Sequence, residues 1–241
     1  SRIVASRPAA STSSWRSNLN NRHDVCNAVG EVPGGLLLAG FRQDASGLAH
    51  RTLWKLSLSG ALLWTTSTSD GFGDTTNRHG AWEMIDVTSD AILLAGFHQL
   101  DAPASVINDE GLAFKSYGNV FGGEALVTKL PLSLVASTAA APTAADIAAA
   151  VASSTAWTST FAPLSTAKSA RATPANAAVG VLMIRQDEAS TSLCWVAQLS
   201  YATGAIQWGP SDLDSTHGEG TSLSVDPAGA LVVGGWNGHV A

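Results

Sequence analysis

The 241-residue chain is 45% hydrophobic, enough for one sizeable core, but only 13% charged, with a net charge of −6 and a pI near 5.4. Its 13 basic residues are scattered, which argues against nucleic acid and against a polybasic membrane anchor, since both need a concentrated basic patch. The longest weakly polar stretch, 135–156, is mostly Ala, Ser and Thr broken by Pro142 and Asp146, and lacks the Leu/Ile/Phe density of a transmembrane span.

In chain order, Ser13-Ser14-Trp15-Arg16-Ser17 reads as the last strand of a repeat (11–17). A unit at 24–68 follows, with strands expected near 24–29, 35–41, 52–57 and 61–67. Its apolar run Gly35-Leu36-Leu37-Leu38-Ala39-Gly40-Phe41 returns as Ala91-Ile92-Leu93-Leu94-Ala95-Gly96-Phe97 and as Ala230-Leu231-Val232-Val233-Gly234-Gly235-Trp236, with a degraded copy at Gly180 to Arg185. Short apolar runs bounded by turn residues read as buried strands rather than helices. The second unit, 80–161, places strands near 81–87, 91–97, 124–130 and 156–161, with insertions at 98–124 and 131–155. In the Ala-rich insertion, Thr143-Ala144-Ala145-Asp146 is set to cap a short helix running to about Ser153. The third unit, 167–209, places strands near 168–173, 178–185, 193–199 and 205–209, and a further one begins at 221. Gly60 and Gly204 sit where a tight hairpin needs positive φ, each four residues before a tryptophan, Trp64 and Trp208.

This periodicity predicts an all-β chain. A twisted four-stranded sheet cannot bury both faces alone, whereas sheets stacked radially cover one another. The expected architecture is a β-propeller with three whole four-stranded antiparallel blades and parts of a fourth, plus a short helix in the Ala-rich insertion. Trp64, Trp157 and Trp208 are expected on outer strands with their rings wedged between blades. The small pairs Ala39-Gly40, Ala95-Gly96 and Gly234-Gly235 are expected to permit close approach near the axis. The incomplete fourth blade leaves two readings: part of a longer propeller, or a ring that closes imperfectly or is completed by another chain.

The Gly-Gly-Leu-Leu-Leu-Ala-Gly-Phe and Leu-Trp-Lys-Leu…Gly…Leu-Trp pattern resembles the bacterial-type β-propeller repeats of large secreted and surface proteins. The unit Ala197-Gln198-Leu199…Thr203-Gly204…Trp208 resembles the tryptophan-docking repeat of pyrroloquinoline-quinone enzymes and their non-catalytic relatives. The resemblance implies architecture; fold does not carry activity with it.

Candidate chemistry is sparse. Gly-x-Ser-x-Gly, a Walker loop, His-Glu-x-x-His and Cys-x-x-Cys are absent from the sequence. His23, His79 and His217 occupy equivalent loops before a first strand, as metal ligands at one rim or as loop-capping hydrogen-bonders within their own repeat. Asp70-Gly71-Phe72-Gly73-Asp74 offers Asp70 and Asp74 to Ca2+, or is a plain connector. The 98–124 loop carries Phe114, Tyr117 and Phe121, which suit a protein contact or pack back on the outer face. Cys26 and Cys194 read as two buried free thiols, with a mutual disulfide as the alternative. The expectation is a non-catalytic scaffold without a cofactor, working through a protein partner or self-assembly at the cell surface or outside the cell. The alternative is a propeller enzyme, a quinoprotein-like oxidoreductase or a hydrolase or lyase, with its site at the channel mouth.

Overall fold

The computed structural model describes residues 24–43, 49–66, 80–99, 123–163, 165–186, 192–213 and 218–237. Sheet one is β1 (Asp24–Val32), β2 (Gly35–Gln43), β3 (Ala49–Leu56) and β4 (Leu62–Thr65). Sheet two is β5 (Gly80–Val87), β6 (Ala91–Gln99), β7 (Gly123–Pro131) and β8 (Trp157–Pro163). Sheet three is β9 (Ser165–Ala172), β10 (Ala178–Gln186), β11 (Ser192–Ser200) and β12 (Ile206–Asp212). The fourth contains β13 (Gly218–Val225) and β14 (Leu231–Asn237). Each sheet runs in chain order and every pairing is antiparallel, so the molecule is all-β and built from local meanders. The three recurring tryptophans lie on fourth strands, at sheet edges: Trp64 on β4, Trp157 opening β8 and Trp208 on β12.

The turns follow from their residues. Gly60 (φ 88°) and Gly204 (φ 73°) take the left-handed conformation that side-chain-bearing residues resist. They let Gly60 N donate to Ser57 O at 2.9 Å and Gly204 N donate to Ser200 O at 2.8 Å, closing the β3–β4 and β11–β12 hairpins.

Continuous apolar strands arise because both faces of a sheet are covered. On β2, Leu37 and Ala39 join Leu53 and meet Trp82, Ile85, Ile92 and Leu94 of sheet two. Leu38, with Leu36 packed alongside, joins Trp54 and Leu56 on the opposite face. On β6, Ile92 and Leu94 face sheet one, while Ala91, Leu93 and Ala95 face Val179, Val181 and Met183 of sheet three. All five of these β6 residues are 0% exposed, and each large one stabilises the fold by about 1.5–3 kcal/mol. Leu182, Cys194 and Val196 then meet Leu223 of the fourth sheet. The stacking is regular: β5 crosses β1, β2 and β3; β9 crosses β5, β6 and β7; β13 crosses β9, β10 and β11.

The insertion after β7 forms α1 (Leu132–Ala136) and α2 (Ala144–Ala152). The expected cap is present: Asp146 N donates to Thr143 Oγ1 at 3.2 Å and Thr143 N donates to the Asp146 carboxylate at 2.8 Å. Such a cap contributes about 1 kcal/mol. The short α1 was not anticipated; it has no side-chain cap and is fixed by burying Val135.

One expectation needs correction, and one feature of the small pairs was not anticipated: Ala39-Gly40 and Ala95-Gly96 face a β-bulge in their own sheet. The register slips between Cys26 and Ala28 opposite Gly40 and Ala39, and between Trp82 and Met84 opposite Gly96 and Ala95. There a Cβ on Gly40 would lie 1.9 Å from Val25 O, and one on Gly96 would lie 2.1 Å from Ala81 O. In sheet three the slip falls opposite Leu182 and Met183, so a buried methionine takes the place of the glycine. The cysteines are both free, as expected, but Cys26 is exposed and only Cys194 is buried, because β1 has a largely open face.

Candidate functional site

The candidates His23, His79, His217, Asp70, Asp74, Phe114, Tyr117 and Phe121 lie outside the described residues. Among the described residues no three of His, Cys, Asp and Glu gather as a metal site, and no helix is long and apolar enough to cross a membrane. Besides ion pairs within single sheets, Asp24–Arg42 and His98–Glu124, the polar links that join elements fall in two sets, with an unmatched apolar edge beyond them.

The first set is at the hairpin-turn end. Lys55 is fully buried, and its ammonium donates to the carbonyls of Pro33 (2.8 Å), Val135 (2.6 Å) and Ala136 (2.8 Å). Three donors meet three acceptors, and the last two are C-terminal carbonyls of α1, where a cation is favoured. Burial pulls the Lys55 pKa below the ordinary lysine value. Lys129 is the equivalent residue of sheet two and sits 4.1 Å from the Tyr201 ring centroid, a cation–π contact. The Tyr201 hydroxyl donates to Asp90 at 2.6 Å and lies 2.8 Å from Thr88 Oγ1. Burial and the Asp90 carboxylate push the Tyr201 hydroxyl up to about 12. Burial alone would raise Asp90, but hydrogen bonds from Tyr201 and Thr88 and the Lys129 charge outweigh it and hold the carboxyl below its usual value. Both ammonium groups, the hydroxyl and the carboxylate are thus engaged with one another or with backbone. The cluster ties sheets two and three; it does not present an acid–base pair. An open groove of about 530 Å³ lies beside it, lined by Glu31, Val32, Gly34, Leu58, Thr88 and Leu132 among others.

The second set runs along the first strands at the bulges. Asn27 Nδ2 donates to Trp82 O at 2.8 Å. Lys168 pairs with Glu83 at 3.2 Å, and Arg171 pairs with Asp86 at 2.6 Å. Ala172 N donates to the same Asp86 carboxylate at 3.1 Å. Asn27, Glu83 and Lys168 are the extra residues of three successive bulges, so equivalent positions link neighbouring sheets. Sequence reasoning missed this row. Its signal was opposite charge at matching first-strand positions, Glu83 and Asp86 against Lys168 and Arg171.

The tryptophans differ from one another. In each complete sheet the outer-strand Trp lies directly across from one third-strand residue: Trp64 from Lys55, Trp157 from Lys129, Trp208 from Gln198. Trp64 and Trp157 are 6% and 7% exposed. The Trp64 indole donates to Ser137 O at 2.9 Å, and the Trp157 indole donates to Tyr201 O at 2.9 Å in the β11–β12 turn of the next sheet. Ser159 Oγ adds a bond to Gly204 O at 2.6 Å. A Cβ on Gly204 would stand 2.6 Å from Trp157 Cε3, so the turn lies flat on the indole. Trp208 departs from the expected wedge. It is 41% exposed, beside Ile206 at 48%, and its indole turns back to Gln198 Oε1 at 2.6 Å in its own sheet. The fourth sheet has only two described strands, hence no described turn between a third and a fourth strand to cover that ring.

No protein-family model matches the chain, and no curated protein matches it.

Proposed function

We propose that this chain is a non-catalytic scaffold of propeller type whose work is to bind another protein or to assemble into a larger structure. The observation that carries this reading is the contrast among equivalent tryptophans. Trp157 is sealed by the glycine turn of the following sheet, whereas Trp208 leaves an apolar strip with Ile206 on the outer strand of sheet three. The propeller geometry is supported by the constant crossing of each first strand over three strands of the preceding sheet, and by the both-face burial of β2 and β6. The non-catalytic reading is supported by the consumption of Lys55, Lys129, Asp90 and Tyr201 in ties within the fold.

Native mass spectrometry of the tagged chain recovered from its own host tests the scaffold reading. A stoichiometric complex, homomeric or heteromeric, is expected at sub-micromolar protein. A monomer free of any partner overturns it. Electron microscopy of the same sample tests the shape, with a disc pierced by an axial channel expected and an extended stack of sheets contradicting the propeller geometry.

A further inference from the structure

The connection between the third and fourth strands of sheets two and three lies against a Lys–Trp pair of the preceding sheet, and it takes two forms. Sheet three uses a tight turn: Tyr201 offers its carbonyl to the Trp157 indole and its ring to the Lys129 ammonium. Sheet two uses the segment 132–156: Ser137 offers its carbonyl to the Trp64 indole, and Val135 and Ala136 offer theirs to the Lys55 ammonium. Leu132 holds the place of Tyr201, since Pro131 pairs with Ala91 as Ser200 pairs with Ala178. Val32 and Gly34 hold the places of Thr88 and Asp90, since Leu36 pairs with Leu56 as Ile92 pairs with Leu130. The open groove lined by Val32, Gly34 and Leu132 is therefore the counterpart of the seat that the Tyr201 hydroxyl fills beside Thr88 and Asp90.

α1 does not hold itself. Its five residues make little more than one turn, and its N-terminus has no side-chain cap. An isolated turn is unfavourable because it orders several residues for one hydrogen bond. The partners of α1 lie outside it. Leu132 N donates to Asp90 O of sheet two at 2.8 Å, Lys55 of sheet one takes the last carbonyls, and Val135, 0% exposed, packs in the core shared by the two sheets. Gly34 admits the segment closely: a Cβ there would stand 2.8 Å from Thr138 Cγ2. We infer that α1 is a strap that folds only when docked on Lys55 and Trp64, and that this pair is a docking site within the chain that accepts the sheet-three type of turn as well. The lysine sets the terms. A helix end supplies carbonyls that its own ladder leaves free; the tight turn supplies one carbonyl to the indole and an aromatic face to the cation. β4 has four residues and pairs with β3 alone among the described strands, so Trp64 depends on the strap for its cover. Undocking of α1 exposes Trp64 and removes the Leu132 wall of the groove in one step. The tie is internal, so it holds whether or not the chain binds a partner.

Three variants of the chain test this by hydroxyl-radical footprinting and amide hydrogen exchange. In each sample, protection of Trp157 reports that sheets two and three are folded. Replacing 132–137 with Gly and Ser is expected to raise Trp64 oxidation about fivefold or more and to leave Trp157 unchanged; a Trp64 that stays protected overturns the strap. Replacing 132–156 with Tyr-Ala-Thr-Gly-Ala-Ile-Gln, the sequence of 201–207, is expected to hold Trp64 within about twofold of the parent rate. A Trp64 that oxidises as fast as in the Gly/Ser variant, or a loss of Trp157 protection, overturns the exchange of connectors. Lys55→Gln keeps a polar group without the charge and is expected to speed amide exchange at Leu134–Ala136 about tenfold. Unchanged exchange there overturns the dependence of α1 on the pair, and this variant decides the strap if the Gly/Ser chain loses Trp157 protection.

Discussion

The junction between sheets two and three and the outward end of sheet three are built from the same repeat, yet they differ in every property that matters for association. At the junction, Trp157 is 7% exposed and donates to Tyr201 O; at the end, Trp208 is 41% exposed and donates within its own sheet. Two ion pairs, Glu83–Lys168 and Asp86–Arg171, cross the junction, whereas Thr221 and Ser224 hold the corresponding places on β13 and carry no charge. A repeat thus specifies a potential contact, and the neighbouring turn decides whether that contact closes.

The sharpest way to break this comparison is to truncate both rings. Trp157→Ala is expected to cost about 3–5 kcal/mol, since it empties a packed site and orphans a carbonyl. Trp208→Ala is expected to cost about 1 kcal/mol or less. Urea denaturation of the two variants reads the difference, and equal losses would refute it. Lys55→Met leaves the buried Val135 carbonyl and the part-buried carbonyls of Pro33 and Ala136 without their donor and is expected to lower stability by about 2 kcal/mol, seen as an earlier urea midpoint and early proteolysis of the α1 segment.

Glycine substitutions sharpen the same contrast. Gly204→Ala forces a Cβ onto the Trp157 ring at positive φ and is expected to cost about 1–3 kcal/mol. Gly229→Ala, at φ 90° with nothing within 4 Å of the new carbon, retains only the backbone cost of about 1 kcal/mol. Differential scanning calorimetry of the pair separates ring contact from backbone strain. At the charged links, Arg171→Ala is expected to cost about 1 kcal/mol or less, because the pair is partly exposed and salt screens it.

Titration gives a further handle on the junction. Folding holds the Tyr201 proton to about 12, while the unfolded chain releases it near the ordinary tyrosine value of 10.0. The unfolded state therefore binds fewer protons in that window, and stability falls as pH rises from about 10 to 12. Asp90 acts in the opposite sense: its folded pKa is depressed, so its contribution is present above the ordinary carboxylate range and is lost as pH falls below it. Urea midpoints across pH are expected to lose the alkaline decline in Tyr201→Phe and to keep it in Trp208→Ala.

The strands were legible because each sheet is a local meander whose apolar runs, such as Ile92–Phe97, end at turn residues; tertiary context had little to override. The Thr143–Asp146 cap was legible for the same local reason. The bulge row was not, since Asn27, Glu83 and Lys168 look like ordinary solvent-facing alternation until the register slip aligns them. Met183 hid the third bulge by standing where the other three sheets carry glycine, Gly40, Gly96 and Gly235. The exposure of Trp208 was illegible because its own segment matches that of Trp64; the difference lies in what the next sheet brings to it. The segments that carry the nominated histidines, aspartates and aromatics fall outside the described residues.

Oxidative footprinting of the indoles by hydroxyl radicals, read by peptide mass spectrometry, tests the tryptophan contrast most directly. Trp208 is predicted to oxidise several-fold faster than Trp64 and Trp157, with the latter two unmasked only on denaturation. Equal rates at Trp157 and Trp208 in the folded protein would contradict it.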